Sequence, residues 1–174
     1  MARRECGLVN QISKADPILG FTDRHTVKLD LDNMSFRSAR YWANLVLRKY
    51  KLRGYIILKS SKKCYHVVFD RYVSWDENLS VVGWVAILSK SLKLKDYLGM
   101  QCIKMSSTLR VAPKGEKPSP RIVYRYGNQE HAVKDFLEFR KLIKRIHIFS
   151  GFPNVENQKT HSNHNKNRYN NSNY

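Results

Sequence analysis

The chain has 174 residues with 32 Lys and Arg against 14 Asp and Glu, giving a formal net charge of +18; this suits one domain with a proper core and a polyanionic partner, nucleic acid before an anionic membrane surface. No apolar run reaches the roughly 18 residues of a transmembrane helix, and Met1 to Cys6 leads into no apolar signal core, so a cytoplasmic protein without a membrane partner is expected. Cys6, Cys64 and Cys102 are odd in number and far apart, which argues against a disulfide framework and a zinc knuckle and for free thiols, two of them expected to pack as small hydrophobes.

Residues 1–24 mix charge, Gly7, Pro17 and Gly20 without a period and read as an N-terminal lead-in with one short helix. A strand is expected over 25–32, ending at Asn33. Ser35 then stands as an N-cap for a helix through about Tyr50, because Ala39, Trp42, Ala43, Val46 and Leu47 recur at helical spacing, with Arg37, Arg40, Arg48 and Lys49 mostly on the other side. Gly54 breaks that pattern. Tyr55 to Lys59 and Cys64 to Asp70 are apolar runs joined by Ser60-Ser61-Lys62-Lys63, which predicts an antiparallel hairpin.

A second helix is expected from about Leu79 to Leu92, while Lys90 to Met105 keeps a rhythm that fits either helix or strand. Thr108 to Val111 and Arg121 to Tyr126 read as strands around a loop holding Pro113, Gly115, Pro118 and Pro120. Positions 131–149 form a last amphipathic helix, with Val133, Phe136, Leu137, Leu142 and Ile143 inward. The order implies an α+β domain over 25–150, a mixed and mostly antiparallel sheet with helices packed on one face. The Asn-rich segment 151–174 reads as a disordered tail.

Candidate chemistry begins at Leu29-Asp30-Leu31-Asp32. In a strand, Asp30 and Asp32 share one face and Leu29 and Leu31 the other. The pair describes a solvated face beside Lys28, or, near the middle of a sheet, two carboxylates whose repulsion asks for a divalent cation. In the later strand, alternation sets Cys64, His66, Val68 and Asp70 on one face, and a central sheet could bring His66 to the acidic pair.

These residues resemble the archaeo-eukaryotic primase superfamily, the primases and primase-polymerases with an RNA-recognition-like catalytic core. Leu29-Asp30-Leu31-Asp32 is similar to the acidic pair ending the first core strand. Cys64-Tyr65-His66 is similar to the small-x-His motif after a Gly- or Ser-rich hairpin, with Cys in the small position. Lys95-Asp96, followed by Leu109-Arg110-Val111 and Lys114, is loosely similar to the third motif, with Lys95 in place of a hydrophobic residue. The likeness covers about residues 24–126.

The resemblance implies a nucleotidyltransferase acting on single-stranded or primed DNA in replication, with nucleoside triphosphates as substrates and a helicase as partner. Asp30, Asp32 and a third acid, Asp96 or alternatively Asp70, would hold two Mg2+ or Mn2+ ions. His66, Arg110, Lys114, Lys62 and Lys63 would grip the incoming phosphates. Arg37, Arg40, Arg48, Lys49, Arg121 and Arg125 would track the template backbone.

Two rival readings remain. A non-catalytic nucleic-acid-binding module on the same fold uses the basic charge and needs no third acid. A replication-initiator nuclease needs a His-hydrophobe-His pair, which the strands lack. Tyr41, Trp42, Tyr50, Tyr55 and Tyr65 lie among basic residues and serve either the core or base stacking. His161-x-x-His164 has metal-like spacing in a tail with no rigid frame.

Overall fold

A computed structural model describes residues 19–149. The predicted tail, His161 and His164, Cys6 and most of the lead-in lie outside them. The chain forms strand β1 (Gly20–Asp23), β2 (Thr26–Leu31), helix α1 (Phe36–Lys49), β3 (Gly54–Ser61), β4 (Cys64–Tyr72), α2 (Trp75–Leu88), α3 (Leu92–Lys104), β5 (Ser107–Arg110), β6 (Arg121–Gly127) and α4 (Ala132–Phe149). The main sheet has the order β2-β4-β3-β6 and every neighbour is antiparallel; β1 and β5 pair as a separate antiparallel ribbon. The α+β class and the antiparallel sheet are as the sequence predicts.

Local chemistry sets the element ends. Ser35, Ser74 and Ser91 cap α1, α2 and α3 by accepting hydrogen bonds from the backbone N–H groups of Ser38, Glu77 and Leu94. Lys62 and Lys63 make the β3–β4 turn, Lys63 taking a φ of 57°. The ambiguous stretch after Lys90 is helix α3, and Lys90 itself turns the chain with a φ of 53°. Gly54 and Gly127 face each other where β3 meets β6; a Cβ on Gly54 would stand 2.1 Å from the Asn128 carbonyl oxygen, so the close approach requires glycine.

The sheet separates two apolar layers. Val27, Leu29, Leu31, Tyr55, Ile57, Tyr65, Val67 and Phe69 pack against α1, α2 and α3. Ile56, Leu58 and Val68 point the other way, onto Leu109 and Val111 and onto Val133 and Phe136 of α4. The expected helical face therefore holds for three helices, while α4 and the β1–β5 ribbon cover the opposite face. Leu29 and Leu31 are fully buried on the three-helix side, so strand alternation turns Lys28 and Asp30 toward the ribbon side. The ribbon is the element the sequence reading missed, because Gly20–Asp23 is too short to show a period.

Candidate functional site

Register builds the site. Asp30 on β2 is the direct cross-strand partner of His66 on β4, and Leu58 on β3 faces His66 from the other side. The His66 Nε2 stands 3.5 Å from Asp30 Oδ1. Both residues line a cavity of about 200 Å³, closed on one side by Asp32, Ser60, Ser61 and Cys64 and on the other by Arg110, Lys114 and Lys117. Three cations, two carboxylates and one imidazole thus meet where the turn end of the central hairpin reaches the loop after β5.

Arg110 organises that loop. Its Nη1 donates to the carbonyls of Ala112 (2.7 Å) and Pro118 (2.8 Å), and its Nη2 donates to the Ser60 carbonyl (2.9 Å). One planar fork therefore ties β3, β5 and the loop that carries Lys114 and Lys117. Lys114 and Lys117 also exchange backbone hydrogen bonds of 2.9 and 3.0 Å, which sets both lysines on one tight turn.

The electrostatics of Asp30 and His66 run in opposite directions from the same cause. Burial and the neighbouring Asp32 push the Asp30 carboxyl up to about 7, against relief from Arg110 and Lys117. Burial, with the charges of Arg110 and Arg140, holds His66 down to about 3. Between those values both groups are neutral, so the contact is a polar pair rather than a salt bridge. Among the described residues neither Asp30 nor Asp32 accepts a hydrogen bond from the backbone.

The other acids sit elsewhere. Asp70 shares the His66 face, as alternation predicts, but its oxygens are engaged: Oδ1 accepts from the N–H groups of His131 and Val133 and Oδ2 from that of Glu130, each at 2.9 Å. It is the N-terminal cap of α4, donated by a strand. Asp96 lies on the outer side of α3, its side chain 71% exposed and 4.0 Å from Lys93, and it does not line the cavity. Among the described residues no three His, Cys, Asp or Glu side chains converge as a set able to hold a metal ion. The two residues named as third ligand are thus a cap and a solvent-facing helix residue.

The basic residues divide in the same way. Arg110 and Lys114 line the cavity as expected, whereas Lys62 and Lys63 form the exposed hairpin turn and do not. Arg37, Arg40, Arg48 and Lys49 are exposed on α1, on the other side of the sheet; the Arg40 guanidinium lies 4.6 Å from the Tyr124 ring centre and the Lys49 ammonium 5.1 Å from that of Trp84. Arg121 and Arg125 are exposed on the edge strand β6, and Arg125 donates to the Gln129 side chain at 2.6 Å. Tyr55 and Tyr65 are buried core residues, whereas Tyr41 is 58% exposed.

Three residues at or near the site escaped the sequence reading. Lys117 lies in a loop with no periodicity, although its place beside Lys114 and two prolines was a turn signal. Arg140 faces outward by simple helical periodicity, yet it is buried, donates to the Pro120 carbonyl and places a positive charge near His66. Lys28 is fully buried under the ribbon, 3.2 Å from Asp23 and 4.7 Å from the Phe21 ring centre, and burial lowers it to about 8 despite Asp23. Of the thiols, Cys64 lines the cavity half-buried and Cys102 is exposed rather than packed.

No protein-family model, curated protein or solved structure matches this chain. None of the described helices is long and apolar enough to cross a membrane.

Proposed function

We propose that the chain is a primase-polymerase-like nucleotidyltransferase core that binds a nucleoside triphosphate at the Asp30 cavity and a DNA strand across its basic surface. The observation that carries this reading is the register pairing of Asp30 with His66 inside a cavity whose remaining wall is Arg110, Lys114 and Lys117. Asp30 and Asp32 fit a hard divalent cation, Mg2+ or Mn2+: both offer oxygen, neither is committed to a backbone hydrogen bond among the described residues, and burial together with their mutual repulsion raises Asp30. When bound, such an ion supplies charge neutralisation for in-line phosphoryl transfer.

The chain's own residues then have separable parts. Lys114 and Lys117 supply positive charge to triphosphate oxygens without a fixed geometry. Arg110, with its fork spent on three carbonyls, holds the lysine turn in place and contributes its charge at a distance. His66, neutral and with a ring nitrogen toward Asp30, offers a hydrogen bond to phosphate and carries no charge of its own at neutral pH. Two carboxylates suffice for Mg2+ when substrate phosphates and water complete its ligands.

A second reading, a non-catalytic nucleic-acid-binding module on the same fold, is favoured by one observation: among the described residues no third carboxylate lines the cavity. Nucleotide incorporation on a single-stranded and on a primed template, with Mg2+ or Mn2+, separates the two. Incorporation by the native chain that vanishes in Asp30→Ala plus Asp32→Ala is the expected result. No incorporation, with salt-sensitive DNA binding intact in both proteins, gives the binding module.

A further inference from the structure

A second cavity, of about 240 Å³, opens at the other end of the central hairpin and is lined by Arg53, Arg71, Tyr72 and His131. Arg53 immediately precedes β3, Arg71 and Tyr72 end β4, and His131 immediately precedes α4. From His66 to Arg71 the strand covers roughly 17 Å at ~3.3 Å per residue, so the two cavities mark opposite ends of one hairpin.

Among the described residues the acids around this cavity are already engaged, and none lines it. The Tyr72 hydroxyl donates to Asp135, and Asp70 is spent on three backbone N–H groups. Arg71 donates to the Tyr50 carbonyl at 2.9 Å and stands 3.7 Å from Glu77. Arg53 is different. It donates to the His131 Nε2, which accepts only as a neutral ring, and among the described residues it has no carboxylate within 4.0 Å. Two guanidinium forks, one of them uncompensated, beside a concave polar surface suit a tetrahedral oxyanion.

We infer that this cavity binds a phosphate group through Arg53 and Arg71. Resting on the function proposed above, the phosphate belongs to the backbone of the strand whose far end reaches the Asp30 cavity; at ~3.4 Å of rise per nucleotide in a stacked strand, about five phosphates span the separation. The same chemistry would hold inorganic phosphate.

The test uses the full chain and its variants Arg53→Gln and Arg71→Gln, with Lys95→Gln plus Lys104→Gln, two exposed lysines of α3, as a surface-charge control compared per charge removed. Among the described residues Arg53 donates to no backbone carbonyl, so R53Q carries the test even if R71Q, which frees the Tyr50 carbonyl, lowers the melting temperature. Single-strand DNA affinity by fluorescence anisotropy should fall about tenfold in R53Q at low salt, with the log K against log salt slope shallower by about 0.7; per charge removed, the control should lose much less. Calorimetry with inorganic phosphate forms the other arm: heat lost in R53Q while strand affinity is unchanged keeps the phosphate site and assigns it to free phosphate. R53Q indistinguishable from the native chain in both arms, or matched by the control per charge removed, overturns the inference. Nucleoside triphosphate binding at the Asp30 cavity should survive R53Q. Its absence from the native chain, beside Arg53-dependent strand binding, would remove the polymerase reading and leave this one standing.

Discussion

Asp70 and Asp30 stand on the same face of the same sheet, one strand apart, and their environments are opposites. Asp70 is fully buried and surrounded by donors, the backbone N–H groups of Glu130, His131 and Val133 at the start of α4, of which that of Glu130 also reaches the Asn128 side-chain oxygen. Asp30 is half-buried beside a second carboxylate, and the imidazole 3.5 Å from it is neutral. Burial alone therefore does not make an acid functional. A satisfied carboxylate holds a helix, while one left wanting a cation is the place where a ligand gains most by binding.

Removing either acid breaks the comparison in a different way. Asp70→Ala takes the acceptor from the His131 and Val133 N–H groups, while that of Glu130 keeps the Asn128 side-chain oxygen, and should cost about 3 kcal/mol, read as a fall in the denaturant midpoint; a loss below about 1 kcal/mol would mean that the cap is dispensable. Arg110→Ala comes next, because it releases three carbonyls at once: a stability loss of about 2 kcal/mol is expected, together with weaker nucleotide binding as the Lys114–Lys117 turn loosens. Arg110→Lys should recover the charge and little of the stability, since one ammonium cannot reproduce the fork.

Asp30→Asn should do the reverse of Asp70→Ala and stabilise the metal-free protein. The folded carboxyl titrates at about 7 against an ordinary 3.8, so the folded state holds the extra proton. The penalty is absent below the ordinary value, grows as pH rises through the window and is complete above about 7. Thermal melts in chelator should show D30N above the native chain at about pH 8 and level with it near pH 4; no pH dependence of the difference would contradict the raised value. Smallest is Asp96→Ala, an exposed carboxylate 4.0 Å from a lysine, expected within about 0.5 kcal/mol of the native stability and without effect on nucleotide binding.

Much of this was legible in the sequence, and the limits have physical causes. The Ser35 cap, the basic hairpin turn and the face shared by Asp30 and Asp32 follow from spacing, because helix and strand periods are local properties; the Ser74 and Ser91 caps did not, and the second helix starts at Trp75 rather than Leu79. The facing of Asp30 and His66 was reachable as a possibility and became definite only through register, which depends on the bulged β2–β4 ladder. What spacing could not give was partnership. Asp70 sits two positions from Val68 and four from His66 on one face, and nothing in that alternation says that the start of a helix sixty residues later takes all its oxygens. Likewise Arg140 lies on the nominally outer side of α4, yet the loop ending at Pro120 folds over it.

The most direct measurement is calorimetric titration of a nucleoside triphosphate into the native chain and into Asp30→Asn plus Asp32→Asn, each with and without Mn2+. Binding that needs Mn2+ in the native chain and is lost in the double variant, whose fold stays intact by thermal melt, is the predicted result. Equal binding in the two proteins, with no response to Mn2+ in either, would contradict the assignment of the acidic pair as the place where metal and nucleotide meet.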